Sequence, residues 1–233
     1  MHIPDNYLSP ASCALLAVAA APAIGVSIAK VKVQLKENKE LGVAASLSFL
    51  LMMFNVPVPG GTTAHAVGGA LLAILIGPYA ASLALSVALI LQAFLFGDGG
   101  ILALGANIFN MAVAMPFIGY GIYSWFRKHH HESLGVIVGS YVAINAAALL
   151  TGIELGLQPL IASEAGQPLY NPYGLEVTIP AMMAAHLVVA GWVEAFFTYV
   201  IYRFVKQVAP SELYTPSSKN TTSFVKKIRW VLL

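Results

Sequence analysis

Residues 78–96 read PYAASLALSVALILQAFLF, nineteen consecutive residues without a charged side chain. A helix needs about 20 apolar residues to cross the hydrocarbon core of a bilayer. Directly after this stretch, residues 97–100 read GDGG, a run that breaks a helix. The sequence therefore predicts a transmembrane helix over residues 78–96.

The rest of the chain has the same apolar character. Of its 233 residues, 58% are hydrophobic and only 9% are charged, and the mean hydropathy is +0.78. Since soluble domains carry about a quarter charged residues, this chain cannot cover itself with a water-facing surface. Six more apolar stretches predict spans over residues 11–29, 41–54, 63–77, 101–126, 134–157 and 178–205. We therefore expect an all-α polytopic membrane protein with about seven transmembrane helices, whose short second and third spans are tilted, re-entrant or covered by neighbours.

The basic residues predict the orientation of these spans. With seven spans, all twelve lysines and arginines fall on one face of the membrane. The positive-inside rule then places the carboxyl terminus in the cytoplasm and Met1 outside. We divide the chain into a leader (residues 1–10), a transmembrane domain (11–205) and a basic tail (206–233) that lies on the anionic inner leaflet or is disordered. The loop over residues 158–176 is expected to be ordered and to face outward.

The composition also argues against several kinds of function. The single cysteine, Cys13, excludes an internal disulfide and a cysteine-based metal cluster. The sequence lacks a phosphate-binding loop of the form Gly-x4-Gly-Lys-Ser/Thr, so we do not expect ATP hydrolysis by that route. The net charge of +2 gives no reason to expect a nucleic-acid partner. Because Asp5 stands where a secretory signal would be basic, we expect the chain to begin at Met1.

Met1 and His2 together offer a metal chelate. The α-amine of Met1, the amide nitrogen of His2 and an imidazole nitrogen of His2 can close fused five- and six-membered rings on one ion. The amide binds only if the metal displaces its proton, which Ni²⁺ and Cu²⁺ do most readily, and planar nitrogen donors suit these two ions. Pro4 and Asp5 are typical of a rigid leader that enters a cavity. One position in the plane is left for another donor.

We expect that donor to be His65, which lies at the predicted outer start of the third span, within reach of Met1. Gly68 and Gly69 follow three and four residues later, so a helix would carry all three residues on one face. The missing side chains of the two glycines would leave room for an inserted peptide. The alternative is that His65 only packs in the core.

The other histidines are weaker candidates. His186 lies inside the predicted seventh span, where a histidine is a functional candidate by default, but a hydrogen bond to Glu194 or to another helix explains it equally well. Residues 129–131 are three histidines in the basic loop, on the wrong face for the leader, and are interpreted as a solvated polar run. Glu194 is a candidate for contact with a partner subunit.

Buried amides indicate which groups could support the site. Asn107 and Asn110 share one face of the predicted fifth span, and Gln92 lies in the fourth. Unpaired amides in hydrocarbon cost a few kcal/mol, so these side chains either join helices or hold the leader and orient His65. Together with Asp5, they are our candidates for positioning the leader.

Three motifs, in order along the chain, resemble one family. MHIPDNYLSP (residues 1–10), GGTTAHAVGGALLAILIGPYAA (60–81) and LQAFLFGDGGILALGANIFNMAVAMPFIGY (91–120) are similar to the CbiM/NikM family. Its members are the substrate-capture subunits of energy-coupling-factor importers for cobalt and nickel. A weaker similarity follows in AHLVVAGWVEAFFTYVIY (185–202). One departure is Asn6, at a position where glycine is usual.

The resemblance implies a metal bound by the amine of Met1, the amide and ring of His2, and a helix histidine that matches His65. It also implies a transmembrane coupling subunit and cytoplasmic ATPase subunits as partners, together with a small companion membrane protein. We therefore expect a non-catalytic subunit in a prokaryotic cell membrane that captures Ni²⁺, or alternatively Co²⁺, and uses no organic cofactor.

Functions of another class remain as alternatives. An intramembrane metalloenzyme would need an open coordination position and a base, as in a His-Glu-x-x-His motif, which the sequence lacks. A metal sensor would use the same donors. A stand-alone channel is disfavoured because a closed site of four nitrogens binds too tightly for fast conduction.

Overall fold

The computed structural model describes residues 1–31, 39–53, 55–58 and 62–215. The predicted tail beyond residue 215 lies outside the described residues, as do Lys32 and Lys36 of the predicted inner loop.

Helices make up most of the described chain. The α-helices are α1 Pro10–Val31, α2 Lys39–Met53, α3 Gly69–Ile76, α4 Pro78–Leu91, α5 Leu104–Asn107, α6 Met115–Lys128, α7 Glu132–Gly156, α8 Gln158–Ile161, α9 Leu175–Ala185 and α10 Gly191–Val208. Wider π-helical turns extend three of them: Gln92–Phe96 after α4, Ile108–Ala114 between α5 and α6, and His186–Ala190 between α9 and α10. Such π-helical turns are frequent at functional sites, and these three contain Gln92, Asn110 and His186.

Four of these helical stretches are long and apolar enough to cross a membrane: Pro10–Val31, Pro78–Phe96, Glu132–Ile161 and Leu175–Val208. They correspond to the predicted first, fourth, sixth and seventh spans. The prediction of an all-α membrane protein is thereby confirmed. The number of seven spans and the orientation stay predictions.

The predicted third span is not one continuous helix, although neighbouring helices cover its helical part, which is one of the expected alternatives. Residues 63–77 are not one helix, because β1 (Asn55–Val58) and β2 (Thr62–His65) form an antiparallel hairpin that pairs Asn55 with His65. The helix α3 that follows has only 8 residues, about 12 Å at 1.5 Å per residue, which is far short of the roughly 30 Å hydrocarbon core. Its residues are buried under neighbouring helices from Gly69 to Leu75.

The predicted helix face of His65 is wrong for the same reason. His65 ends a strand, and Gly68 has a φ of +79°, the left-handed conformation that glycine adopts most easily. A Cβ atom added at Gly68 would lie 2.8 Å from Leu51, and one added at Gly69 would lie 3.0 Å from Met115. The two glycines therefore make room for these side chains and not for the leader.

Close packing around α7 builds the centre of the bundle. The helix α7 contacts α6, α9 and α10, while α4 contacts α1, α2 and α3. Small residues allow this, as in many membrane bundles: a Cβ added at Gly139 would lie 2.8 Å from the carbonyl oxygen of Gly119, and one at Gly119 would lie 2.7 Å from the Cβ atom of Ala70. This rigid frame holds the polar groups described next.

The predicted ordered loop after the sixth span is confirmed as ordered. It contains α8 and a short hairpin of β3 (Ser163–Glu164) and β4 (Gln167–Pro168). Gln158 and Asn171 of this loop bond to Ser9 and Tyr7 of the leader.

Candidate metal site

The leader folds back onto the helices as part of the core. Ile3 and Leu8 are 1% and 3% exposed and pack in one cluster with Cys13, Ala103 and Ala106. Burying two large apolar side chains of this kind contributes about 1.5–3 kcal/mol each. Ile3 and Leu8 therefore anchor the leader in a cluster that includes residues of α1 and α5.

Asn107 holds the main chain of the leader directly after the predicted chelate. Its amide oxygen accepts the N–H of Ile3 at 2.8 Å, and its amide nitrogen donates to the carbonyl oxygen of Ile3 at 3.1 Å. Gly100 donates its N–H to the same carbonyl oxygen at 2.8 Å. Because Asn107 is only 2% exposed, this reciprocal pair fixes the leader at a position adjacent to His2.

Asp5 makes a second attachment. Its carboxylate accepts the N–H groups of Ile101, Leu102 and Ala103 at 3.0, 2.9 and 3.4 Å. These groups lie just before α5, where N–H groups lack partners within a helix and favour a negative charge. A Cβ atom on Gly100 would collide with Asp5, so glycine is required at this point.

Asn6 departs from the expected glycine, and the structure supplies a physical reason why it is tolerated. Its φ is +68°, in the left-handed region that glycine adopts freely and that asparagine adopts more readily than most other residues. The turn after Asp5 therefore keeps the conformation that glycine would allow.

Two residues that sequence reasoning missed hold the far end of the leader, Gln158 through its side chain and Asn171 through its main chain. Gln158 accepts the N–H of Ser9 at 2.9 Å, and the N–H of Asn171 donates to the carbonyl oxygen of Tyr7 at 3.2 Å. Gln158 and Asn171 are 1% and 4% exposed. Their signal in the sequence is weak, since both are isolated polar residues in a loop about 150 positions away from the leader along the chain.

His2 and His65 lie together. Their ring centroids are 5.2 Å apart and the ring planes differ by 22°. Two imidazoles bound side by side to one ion, with metal–nitrogen distances of about 2 Å, would have centroids roughly 4.5 Å apart. Binding of a shared ion would therefore bring the two rings closer together.

The ring nitrogens of the two histidines have different surroundings. Nδ1 of His65 lies 3.1 Å from the carbonyl oxygen of Ala66. Donation to that oxygen leaves Nε2 as the nitrogen with the lone pair. Nδ1 of His2 lies 3.4 Å from the carboxylate of Asp98, and its Nε2 is buried without a hydrogen-bond partner among the described residues. Asp98, another missed residue, belongs to the GDGG run that the sequence marks only as a helix break.

Burial makes all of these nitrogens neutral donors. It lowers the pKa of the Met1 amine from 8.0 to about 6, although the nearby charge of Asp98 opposes the shift. It lowers the pKa of His2 and of His65 from 6.5 to about 3, with the neighbouring amine as the second cause in each case. Since metal ligands must give up their protons, the amine and both rings are ready to bind an ion at pH 7.

Gln92 lies beside the ring of His2. The side chain is 1% exposed, and neither its oxygen nor its nitrogen has a hydrogen-bond partner of normal geometry in the described part of the chain. An unpaired buried amide is costly, so its place next to the histidine pair is consistent with the predicted supporting role.

Asn110 does not face the leader. Its amide nitrogen donates to Thr151 at 3.2 Å and to Glu154 at 2.7 Å, both on α7. It therefore joins two helices, the alternative that the sequence left open, and does not belong with Asn107 at the leader.

Glu194 also has a different position from the one predicted. It is 1% exposed, so it cannot contact a partner on the surface. Its carboxylate accepts the N–H of Val67 at 2.7 Å and that of Gly68 at 3.1 Å, two and three residues after His65.

The remaining histidines form no bond to the leader, although the helical turn that begins at His186 contacts β2, the strand that ends at His65. Nδ1 of His186 lies 2.8 Å from the carbonyl oxygen of Met182 in its own helix, so the suggested bond to Glu194 is not formed. Residues 129–131 are exposed. Within the described residues, no group of three or more His, Cys, Asp or Glu side chains could hold a metal ion, which means that a site at His2 and His65 would use main-chain nitrogens as well.

Comparisons with known proteins agree on metal transport. The family model for CbiM, described as the cobalt uptake substrate-specific transmembrane region, matches residues 2–212. A protein of Lactiplantibacillus plantarum described as a probable fused nickel transport protein, LarMN, is 63% identical over 97% of this chain and 70% of its own length. The fused nickel transport protein NikMN of Rhodobacter capsulatus is 44% identical over 93% of this chain, and this chain spans 64% of that protein.

A solved structure has the same fold. A crystal structure described as a truncated transition metal transporter superimposes with a TM-score of 0.84 at 53% identity, covering 89% of this chain and 99% of that one. At this identity the likeness extends beyond the fold to the sequence of most of the bundle.

Proposed function

Because the chain belongs to the CbiM family of substrate-specific transmembrane regions for metal uptake, we propose that it is the capture subunit of an energy-coupling-factor importer and that its cargo is Ni²⁺. Family members are multi-pass proteins of the prokaryotic cell membrane that act as transporters. We propose that the chain itself has no catalytic activity and that separate ATPase subunits supply the energy through a transmembrane coupling subunit.

One observation supports the proposal most strongly: the ring centroids of His2 and His65 lie 5.2 Å apart, the His2 side chain and His65 are each 6% exposed, and the amine of Met1 is near enough to lower the pKa of both rings. The amine, the amide nitrogen of His2 and Nδ1 of His2 would bind one ion as fused rings, and Nε2 of His65 would complete the plane. Since Nδ1 faces Asp98, the incoming ion would take the place of that contact. The nearby carboxylate would then balance part of its charge.

The donor set favours Ni²⁺. Four nitrogens in a plane, one of them a deprotonated amide, are an environment that suits Ni²⁺ and Cu²⁺. The two relatives described above are both named for nickel transport. Hard cations such as Mg²⁺ and Ca²⁺ prefer oxygen ligands, so this site would discriminate against them.

Gln92 favours Co²⁺ as a second candidate. Its unpaired amide lies beside His2, where its oxygen would be available as an additional ligand above or below the plane. Co²⁺ would use the same four nitrogens and needs such additional ligands more than planar Ni²⁺ does.

Release of the ion requires that the donors separate. Three donors belong to the leader and the fourth to the end of β2, so a movement of one against the other would open the site. A partner that binds the opened state better would shift the protein toward it. This division of the ligands is what we expect of a capture subunit that must also give up its cargo.

A visible absorption spectrum of the purified, untagged protein with Ni²⁺ tests the proposal. We expect the band of a planar nitrogen complex in the wild type and a shifted or lost band in His65→Ala. His131→Ala is the control, because His131 is exposed just before α7, whereas the leader bonds to Gln158 just after α7. Identical spectra for the wild type and His65→Ala would refute the site, and tighter binding of Co²⁺ than of Ni²⁺ would reverse the assignment of the ion.

A further inference from the structure

The loop that follows His65 is fixed by side chains from two helices. Residues 66–68 connect β2 to α3. Glu194 on α10 accepts the N–H groups of Val67 and Gly68, at 2.7 Å and 3.1 Å. Ser48 on α2 donates its hydroxyl to the carbonyl oxygen of Val67 at 2.6 Å.

Two further carbonyl groups of this loop are paired as well. The carbonyl oxygen of Ala66 lies 3.1 Å from Nδ1 of His65, and that of Gly68 accepts the N–H of Leu72 at 2.9 Å. Val67 is fully buried and Ala66 is 2% exposed. An unpaired N–H or C=O in such a place would cost about 1–3 kcal/mol, so the two helices determine a single conformation of the loop.

Burial of the Glu194 carboxylate is the part of this arrangement that costs the most free energy. A carboxylate within a membrane-spanning helix is rare and usually functional, and this one is 1% exposed. The left-handed Gly68 turns its N–H toward the same carboxylate as the N–H of Val67, an arrangement that binds a negative charge well. Packing alone does not require a charged residue here, since a neutral side chain would fill the same space.

We propose that Glu194 is a positioning residue for the ion: it fixes the loop after β2 so that Nε2 of His65 points at the leader chelate. This inference rests on the proposed function. Glu194 touches neither the ion nor its ligands. It acts through two main-chain N–H groups, and Ser48 supports the same loop from the opposite side.

A double-mutant cycle separates positioning from general stability. In Glu194→Gln, the amide oxygen can keep both bonds that Oε2 accepts, but without the negative charge, and the new NH₂ group replaces Oε1 against the N–H of Gly68, which loosens the loop. We expect Ni²⁺ affinity to fall by about 10- to 100-fold, as for other partners of metal ligands. In the His65→Ala background, the same substitution should change affinity by less than about twofold, because the residue through which it acts is already absent.

The spectrum provides a second readout. The Ni²⁺ band of Glu194→Gln should move toward that of His65→Ala, since three donors from the leader remain and the fourth is displaced. Thr198→Val is the matched control: Thr198 lies one turn further on the same helix and is equally buried, so this variant should keep the wild-type spectrum and affinity.

Each outcome decides the matter. Equal losses from Glu194→Gln with and without His65 would overturn the positioning role while leaving the proposed site intact. If His65→Ala itself leaves Ni²⁺ binding unchanged, the proposed function fails and the inference fails with it. Should Glu194→Gln not fold, Ser48→Ala replaces it, with a smaller loss expected in the wild type and none in His65→Ala; an equal loss in both would overturn the role.

Discussion

The two ends of the bundle are held by different kinds of polar contact. At the leader end, Asn107, Gln158 and Asn171 are almost fully buried and bond to the main chain of residues 3–9. A buried main-chain group that loses its partner is costly. These contacts therefore specify one path for the leader.

At the basic end, the polar contacts are more exposed. Lys206 pairs with Glu132, with the two side chains 44% and 33% exposed. Arg127 lies 5.5 Å from the ring centroid of Tyr123 and donates to the carbonyl oxygen of Tyr214 at 3.2 Å. Exposed ion pairs contribute only about 0–1 kcal/mol, so this end tolerates change more readily.

The difference in burial between the two ends indicates where the positions of side chains must be precise. Binding of one ion by nitrogens from two segments depends on their relative position, and only the buried contacts at the leader end can set it. Substitutions there should therefore alter metal binding, whereas comparable substitutions at the basic end should not.

The largest effect should come from blocking the amine of Met1. An extension of several residues without histidine ahead of Met1 turns this donor into an amide and must also displace the buried leader. We expect Ni²⁺ affinity, measured by competition with a metal buffer, to fall by more than the roughly 100-fold that loss of an outer partner costs.

Lys206→Gln is the control for this first prediction. It breaks the exposed pair with Glu132 at the basic end and should leave Ni²⁺ affinity within about twofold, given the small energy of such pairs. An extended protein that binds Ni²⁺ as tightly as the wild type would show that the amine is not a ligand.

An intermediate effect is expected from Asn107→Ala. The substitution leaves the buried N–H of Ile3 without a partner, which costs about 1–3 kcal/mol and loosens the leader next to His2. We expect Ni²⁺ affinity to fall by about tenfold or more, measured by isothermal titration calorimetry. Asn145→Ala is the matched control, because Asn145 is similarly buried but donates only to Tyr141 in its own helix; equal losses in both variants would contradict the prediction.

Part of this site could be predicted from the sequence, because Met1 and His2 are adjacent in the chain. The fused chelate rings of Met1 and His2 follow from covalent geometry. Asp5 and Asn107 could be selected as a carboxylate in a stiff leader and an amide in an apolar span. Gln158 and Asn171 could not be selected, because isolated polar residues in a loop carry no signal of a distant partner. The sequence predicts another role for Glu194, since its bonds to the loop after β2 depend on how the helices pack.

Two other errors have local causes. A mainly apolar stretch such as residues 63–77 is typical of a span and of a short buried helix alike, and only the hairpin before α3 tells them apart. Asn107 and Asn110 would share a face of a regular α-helix, but a π-helical segment begins at Ile108. Its wider turn directs Asn110 toward α7 instead.

The smallest effect is expected in the pH dependence of Ni²⁺ binding, which tests whether the leader end is buried before the ion binds. A buried amine with a pKa of about 6 is already neutral at pH 7, as are both rings with pKa values of about 3. Only the amide proton of His2 then has to leave. We expect about one proton released per ion above pH 6, so that affinity rises about threefold from pH 7.0 to 7.5, and about two protons below pH 6, where the amine also competes.

Proton release can be measured by calorimetry in buffers of different ionisation enthalpy. A leader free in solvent would keep ordinary pKa values near 8.0 for the amine and 6.5 for a histidine. Binding of one ion to such a leader would then release close to two protons at pH 7 and three or more near pH 5.5. The measured number therefore shows whether the leader is already inserted before the metal arrives: a value near one at pH 7 supports a preformed site, and a value near two contradicts it.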